Sequence, residues 1–134
     1  MKILFVCKNN RFRSKIAEAY FKKINKNKNI KFSSAGIFRG SPIKKQTKEI
    51  IKKFNIIIKG KPRTISTDLL KKQDLIIIVA NDVPKSIFNK KYFKKIKIWK
   101  IPDSYIVNKK KIEKIIKKII KKVDKLNRRL KWKQ

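Results

Sequence analysis

The stretch Lys2-Ile3-Leu4-Phe5-Val6-Cys7-Lys8-Asn9-Asn10-Arg11-Phe12-Arg13-Ser14 decides the fold. Its first part, Lys2 to Val6, is apolar without alternation, the pattern of a strand covered on both faces. From Ser14 the spacing changes to Ile16, Ala17, Tyr20, Phe21 and Ile24, which predicts a helix. A helix N-terminus carries partial positive charge and unpaired N–H groups, and anions bind there. The connecting residues Lys8, Asn9, Asn10, Arg11 and Phe12 are therefore expected to turn their backbone N–H groups inward as a phosphate-binding loop.

The side chains in and beside the loop agree with one chemistry. Cys7 is the only cysteine of the chain. A thiolate is the better nucleophile, and a helix N-terminus and a nearby cation favour that form of a thiol. Arg13 can fork two N–H donors onto phosphoryl oxygens and stabilise them in a transition state. Ser14 is placed to give its hydroxyl to Cys7, and Asn10 suits a loop position with positive φ. A plainer reading makes Cys7 a buried strand-end cysteine, Arg13 a solvated arginine and Ser14 a helix cap. The position of all three between a strand and a helix favours the chemical reading.

A nucleophile leaves the departing oxygen without a proton, so a carboxylic acid is expected at the same edge. Of the four aspartates before the last helix, Asp74 opens a strand and sits at its wrong end, and Asp68 falls in a short helix. Asp82, in Asn81-Asp82-Val83-Pro84, reads as a helix cap. Asp103 follows the strand-like Lys97-Ile98-Trp99-Lys100-Ile101, which puts it at the carboxyl edge of a sheet, where open α/β sheets bind ligands. An ordinary turn aspartate fits Asp103 equally well on position alone. Tyr105 is expected to wall the space for an aromatic leaving group. Phe38, in the loop after the second strand, reads either as a stacking wall or as plain surface.

Outward from the first motif, strands and helices alternate, the mark of a parallel sheet. Strands are predicted near Asn29 to Ser34, Asp74 to Ala80 and Lys95 to Ile101, and helices near Ile43 to Phe54, Ser66 to Lys71, Val83 to Phe88 and Lys109 to Leu130. The expected fold is α/β, a single domain over 1–134 with a four-stranded parallel sheet flanked by helices on both faces. In the last helix Ile112, Ile115, Ile116, Ile119, Ile120 and Val123 form one stripe that should pack on the sheet while the lysines are solvated.

Val6 to Phe21, VCKNNRFRSKIAEAYF, resembles the phosphate-binding loop and first helix of the low-molecular-weight protein tyrosine phosphatases. Ser33-Ser34-Ala35-Gly36 resembles the end of their second strand, and Pro102-Asp103-Ser104-Tyr105 the Asp-Pro-Tyr segment that carries their general acid. The resemblance implies a cofactor-independent, metal-free phosphomonoesterase with a cysteinyl-phosphate intermediate. By position it makes Cys7 the nucleophile, Arg13 the phosphate clamp, Ser14 the thiolate partner, Asn10 the loop organiser and Asp103 the acid. Asn9 stands where the family usually has glycine, Phe12 where it commonly has a second cysteine, Lys15 where it has proline, and Ser104 where it has the proline after the acid. Asn9 therefore bears directly on how the loop reaches its turn.

Composition bounds the alternatives. With 134 residues, 41% of them hydrophobic, the chain suits one globular domain. One cysteine and no histidine exclude a disulfide framework and an ordinary zinc site. The opening apolar run is too short for a signal peptide and no stretch is long enough to span a bilayer, so a cytoplasmic location is expected, which suits a reactive thiol. The formal charge of +33 favours phosphorylated proteins, small aryl phosphates and, without specificity, polyanions such as nucleic acid. Lysine, isoleucine and asparagine are enriched together, which points to biased composition as the main origin of that charge. Two further readings stand beside phosphotyrosine or aryl phosphate hydrolysis: an arsenate reductase-like enzyme, whose thioredoxin-coupled form needs cysteines absent here, and a degenerate phosphate- or nucleic-acid-binding protein.

Overall fold

The structure is a computed structural model that describes residues 1–132. Four parallel strands, β1 (Lys2–Cys7), β2 (Lys31–Gly36), β3 (Leu75–Val79) and β4 (Ile96–Trp99), form one sheet in the order β2-β1-β3-β4. The α-helices are α1 (Arg13–Ile24), α2 (Lys45–Lys52), α3 (Thr67–Lys71) and α4 (Lys109–Trp132). The fold is the predicted single α/β domain. In this order the chain leaves β1 toward β2 and β3 toward β4 in opposite directions. The gap between the carboxyl ends of β1 and β3 is therefore the switch point at which such sheets bind ligands.

Alternate residues of β1 explain the two apolar layers. Ile3 and Phe5 face α1, α2 and the stripe of α4, with Ile16, Phe21, Ile51 and Ile115 wholly or nearly buried. Leu4 and Val6 face the opposite layer, built on Leu70 of α3 with Val83, Phe88 and Tyr92. Helical cover on the first face is long; on the second it is one five-residue helix and two 3-10 turns. The α4 stripe lies in the core as predicted, with Ile120 at its edge. Tyr20 of α1 donates to Asp124 of α4 at 2.7 Å, and burial together with that carboxylate pushes its phenol up to about 12. No helix among the described residues is long and apolar enough to cross a membrane.

Two elements differ from expectation. In place of a helix over Val83 to Phe88 the chain makes 3-10 turns at Lys85–Ile87 and Lys90–Lys95. Val83, Phe88 and Tyr92 must all reach the same core layer, and their spacings of five and four do not fit one short helical face. Strand β2 runs two residues later than predicted, because Asn25, Asn27 and Asn29 form side-chain-bonded turns and pairing with β1 continues to Cys7 opposite Gly36.

Candidate active site

Strand β1 delivers Cys7 to the carboxyl edge, and the loop from Lys8 to Phe12 begins there. The carbonyls of Cys7, Lys8 and Asn9 accept from the N–H groups of Ile37, Phe38 and Gly40 at 3.1, 2.9 and 3.1 Å. Because a trans peptide points its C=O and the next N–H in opposite directions, those bonds turn the N–H groups of Lys8, Asn9 and Asn10 away from the flanking segment. The N–H groups of residues 8–12 donate to no acceptor among the described residues. The loop is thus a nest of free donors at the first turn of α1. Gly36 permits the close approach: a Cβ there would lie 2.7 Å from the Asn10 nitrogen and 2.7 Å from the Phe38 oxygen.

The turn itself is made by Asn10, at φ 50°, while Asn9 lies outside the left-handed region. The departure from glycine at position 9 therefore carries no left-handed strain. Asn10 is fully buried and is the hub of a polar cluster. Its Nδ2 donates to Ser14 Oγ at 2.8 Å and Ser34 Oγ at 2.9 Å, and its Oδ1 accepts from the Arg63 N–H at 3.0 Å. Ser14 Oγ lies 3.0 Å from Cys7 Sγ. The Ser34 hydroxyl donates to Glu18 Oε1 at 2.6 Å, and Arg63 Nε donates to the Ser34 carbonyl at 2.8 Å.

Arg13, at 2% exposure, is the largest fully buried side chain among the described residues. Its Nη1 donates to the Ile101 carbonyl at 2.9 Å, and its Nη2 lies 2.9 Å from Asp82 and 3.5 Å from Asp103. The Asp82 contact is Coulombic, without a well-aligned N–H bond to that oxygen. Three sequence-distant pieces, the ends of β1, β3 and β4, thus converge on one guanidinium. Asp103 stands where it was predicted, with Oδ1 accepting from the Ser104 N–H at 2.8 Å. Asp82 caps no helix; its other oxygen accepts from the Tyr105 hydroxyl at 3.4 Å.

The remaining predicted residues are distributed unevenly. Lys8, Asn9 and Arg11 are half-buried in the loop. Phe12 contributes its backbone to the helix start; its side chain packs in the core and also lines the cavity beside the loop. Beside the loop a 240 Å³ cavity is lined by Arg11, Lys44, Asp103 and Tyr105 with Ile43 and Ile106. Tyr105, 72% exposed, lines it; Phe38 is 59% exposed and lies outside it. Sequence reasoning missed Arg63 and Asp82. The carboxyl-edge rule that selected Asp103 applies to Asp82 as well, whereas nothing in the sequence around Arg63 marks it. No group of metal-ligating side chains occurs among the described residues.

A buried thiol against a serine hydroxyl, under a nest of free N–H groups with a buried arginine and an aspartate, is an arrangement able to hold a phosphoryl group at the edge of an α/β sheet. The sequence matches the low molecular weight phosphotyrosine protein phosphatase family over residues 2–134, and the chain belongs to that family. The low molecular weight protein tyrosine phosphatase of T. tengcongensis superposes with a TM-score of 0.82 at 26% identity, over 96% of this chain and 99% of that one. Arsenate reductase of Archaeoglobus fulgidus superposes at 0.75 with 26% identity, over 93% and 98%. YwlE arginine phosphatase of Geobacillus stearothermophilus superposes at 0.85 with 19% identity, over 99% and 94%, which shows the shared fold. Comparison with curated proteins yields no match. Family and fold support phosphatase activity.

Proposed function

We propose that this protein hydrolyses phosphomonoesters of phenols, phosphotyrosine in acidic or neutral protein segments among them, through a cysteinyl-phosphate intermediate. The Cys7 thiolate attacks phosphorus, the bond to the phenolic oxygen breaks, and Asp103 gives that oxygen its proton. Water then attacks the phosphocysteine, Asp103 takes a proton back, and phosphate and the thiolate are released. Lys8 to Phe12 hold the phosphoryl oxygens through backbone N–H groups, and Arg13 turns its donors onto them. Ser14, held by Asn10, steadies the thiolate as it leaves.

The observation that carries this reading is Arg13 lying 3.5 Å from Asp103 at the rim of the loop that begins at Cys7, residues 90 apart in sequence. The apolar wall of the adjoining cavity suits an aryl body. Arg11 and Lys44 at its rim have no carboxylate partner among the described residues, which favours a neutral or anionic substrate body over a phosphorylated guanidinium. The test is turnover of para-nitrophenyl phosphate, a phosphotyrosine peptide and phosphoarginine by wild type and Cys7→Ser. Aryl hydrolysis lost in Cys7→Ser is expected; faster hydrolysis of phosphoarginine, or activity retained in Cys7→Ser, refutes the reading.

A further inference from the structure

Lys15 is an ammonium in an unfavourable place. It lies in the first turn of α1, where the helix field opposes a cation, and it is 7% exposed. Its Nζ donates to the Lys59 carbonyl at 3.2 Å and lies 3.9 Å from Glu18, so most of its three-donor capacity is unspent. It lines a 620 Å³ groove that shares no lining residue with the cavity at Asp103. Lys15, Lys22 and Ala19 line one wall from a single helical face, with Lys59 opposite, and Phe32 and the 71% exposed Ile57 supply apolar surface. Glu18 is the one carboxylate there, and it is already engaged by Ser34 at 2.6 Å.

We propose that this groove is a second ligand site, which takes a small anion on a planar apolar body, of mononucleotide size. A groove of this volume holds such a ligand, with its charge on Lys15 and its ring between Phe32 and Ile57. Occupancy is felt at the nucleophile. Glu18, Ser34, Asn10, Ser14 and Cys7 form an unbroken chain of contacts of 2.6, 2.9, 2.8 and 3.0 Å. An anion on Lys15 removes a cation's support from Glu18 at one end of the chain and weakens the field at the other, so turnover falls.

The binding half stands on geometry alone, and the kinetic half rests on the proposed phosphatase activity. The probe is 8-anilinonaphthalene-1-sulfonate, an aromatic anion with no ester to cleave, followed by its fluorescence on the whole protein. Lys15→Gln and Ile57→Asp should each weaken its binding about tenfold, and Lys117→Gln on exposed α4 should leave it unchanged. Inorganic phosphate in the Cys7 loop should not displace the probe. In the aryl phosphatase assay the probe should lower kcat without raising KM, and Ile57→Asp, with its own kcat unchanged, should lose this inhibition. Equal affinity across the three variants, or displacement by phosphate, overturns the site. Variant-sensitive binding without a change in kcat overturns the coupling, and absence of any turnover overturns the phosphatase reading while leaving the binding result to stand.

Discussion

The loop from Cys7 to Arg13 and the segment from Pro102 to Asn108 meet at one edge of the sheet. Asn10 and Arg13 in the first are 0% and 2% exposed, while Tyr105 and Ile106 in the second are 72% and 67% exposed. The first is pinned by bonds to segments far away in sequence, at Ser34, Ile37, Phe38 and Arg63. The second is held mainly by bonds within itself, Ser104 N–H to Asp103 and Ser104 Oγ to the Ile106 carbonyl. A phosphoryl group is the same in every substrate, so its cradle gains from rigidity. The leaving group varies, and the segment that meets it opens at little cost because few long-range contacts hold it.

If that division holds, the largest effect must come from the buried loop. Cys7→Ser should lower kcat on the order of 10⁴-fold or more, because serine supplies no thiolate. It should still bind tungstate, since the N–H nest is intact. Arg13→Ala should lose both activity and tungstate affinity, the former by about 10²–10³-fold. Steady-state kinetics paired with calorimetry checks this, and an Arg13→Ala protein that bound tungstate like wild type would place the clamp elsewhere.

Asp103→Asn probes the exposed segment. Its kcat should fall by about 10²-fold on an unactivated phenyl phosphate and far less on para-nitrophenyl phosphate, because proton donation matters most for a basic leaving oxygen. Asp82→Asn should depress both substrates alike, since Asp82 touches Arg13 at 2.9 Å and acts through the clamp. A leaving-group series with the two slopes exchanged would reverse the roles of the two aspartates.

The same contrast explains what could be read in advance. The first loop is encoded locally: a strand, five residues, then Arg13, Ser14 and a helix, so the fold and the placement of Cys7 were legible together. The position of Asp103 at the carboxyl edge was legible because a strand and a proline precede it. Asp82 was misread since Asn81-Asp82-Val83-Pro84 carries a local capping signal, yet the neighbouring carboxyl end of β1 sets an arginine beside it. Arg63 lies in a loop tied down by an isolated pairing of Gly36 with Thr64 and by its own bonds to Asn10 and Ser34, all distant in sequence, and no local pattern announces it. Phe12 was assigned to substrate because it lies in the loop, and its ring packs in the core while lining the cavity beside that loop.

Asn10→Ala measures how far the rigidity of the first loop depends on one side chain. It removes three hydrogen bonds and leaves the buried Ser14 and Ser34 hydroxyls and the Arg63 N–H without their usual neighbour. The expected cost is about 1–3 kcal/mol, or a Tm lowered by roughly 4–10 °C, with a weaker tungstate complex. Tyr105→Ala, at an exposed position, should stay within about 0.5 kcal/mol of wild type. Equal melting temperatures for the two variants would mean that the buried cluster adds no rigidity beyond that of the surface segment.

The smallest effect separates the two regions by ionic strength. The side chains of Asn10, Arg13 and Ser14 are buried, so salt should leave kcat nearly unchanged. At the rim Arg11 and Lys44 face solvent beside the cavity, within the field of a chain of formal charge +33. Interactions between exposed charges are screened over about 8 Å at physiological salt. For an acidic phosphotyrosine peptide kcat/KM should therefore fall about three- to tenfold between low and physiological salt, through KM and association rate. A small aryl phosphate, which offers fewer charges to the rim, should fall less. Should kcat itself drop with salt as steeply as kcat/KM, the phosphoryl cradle would be as open to ions as the rim, and the distinction between a rigid buried loop and an adaptable exposed one would fail.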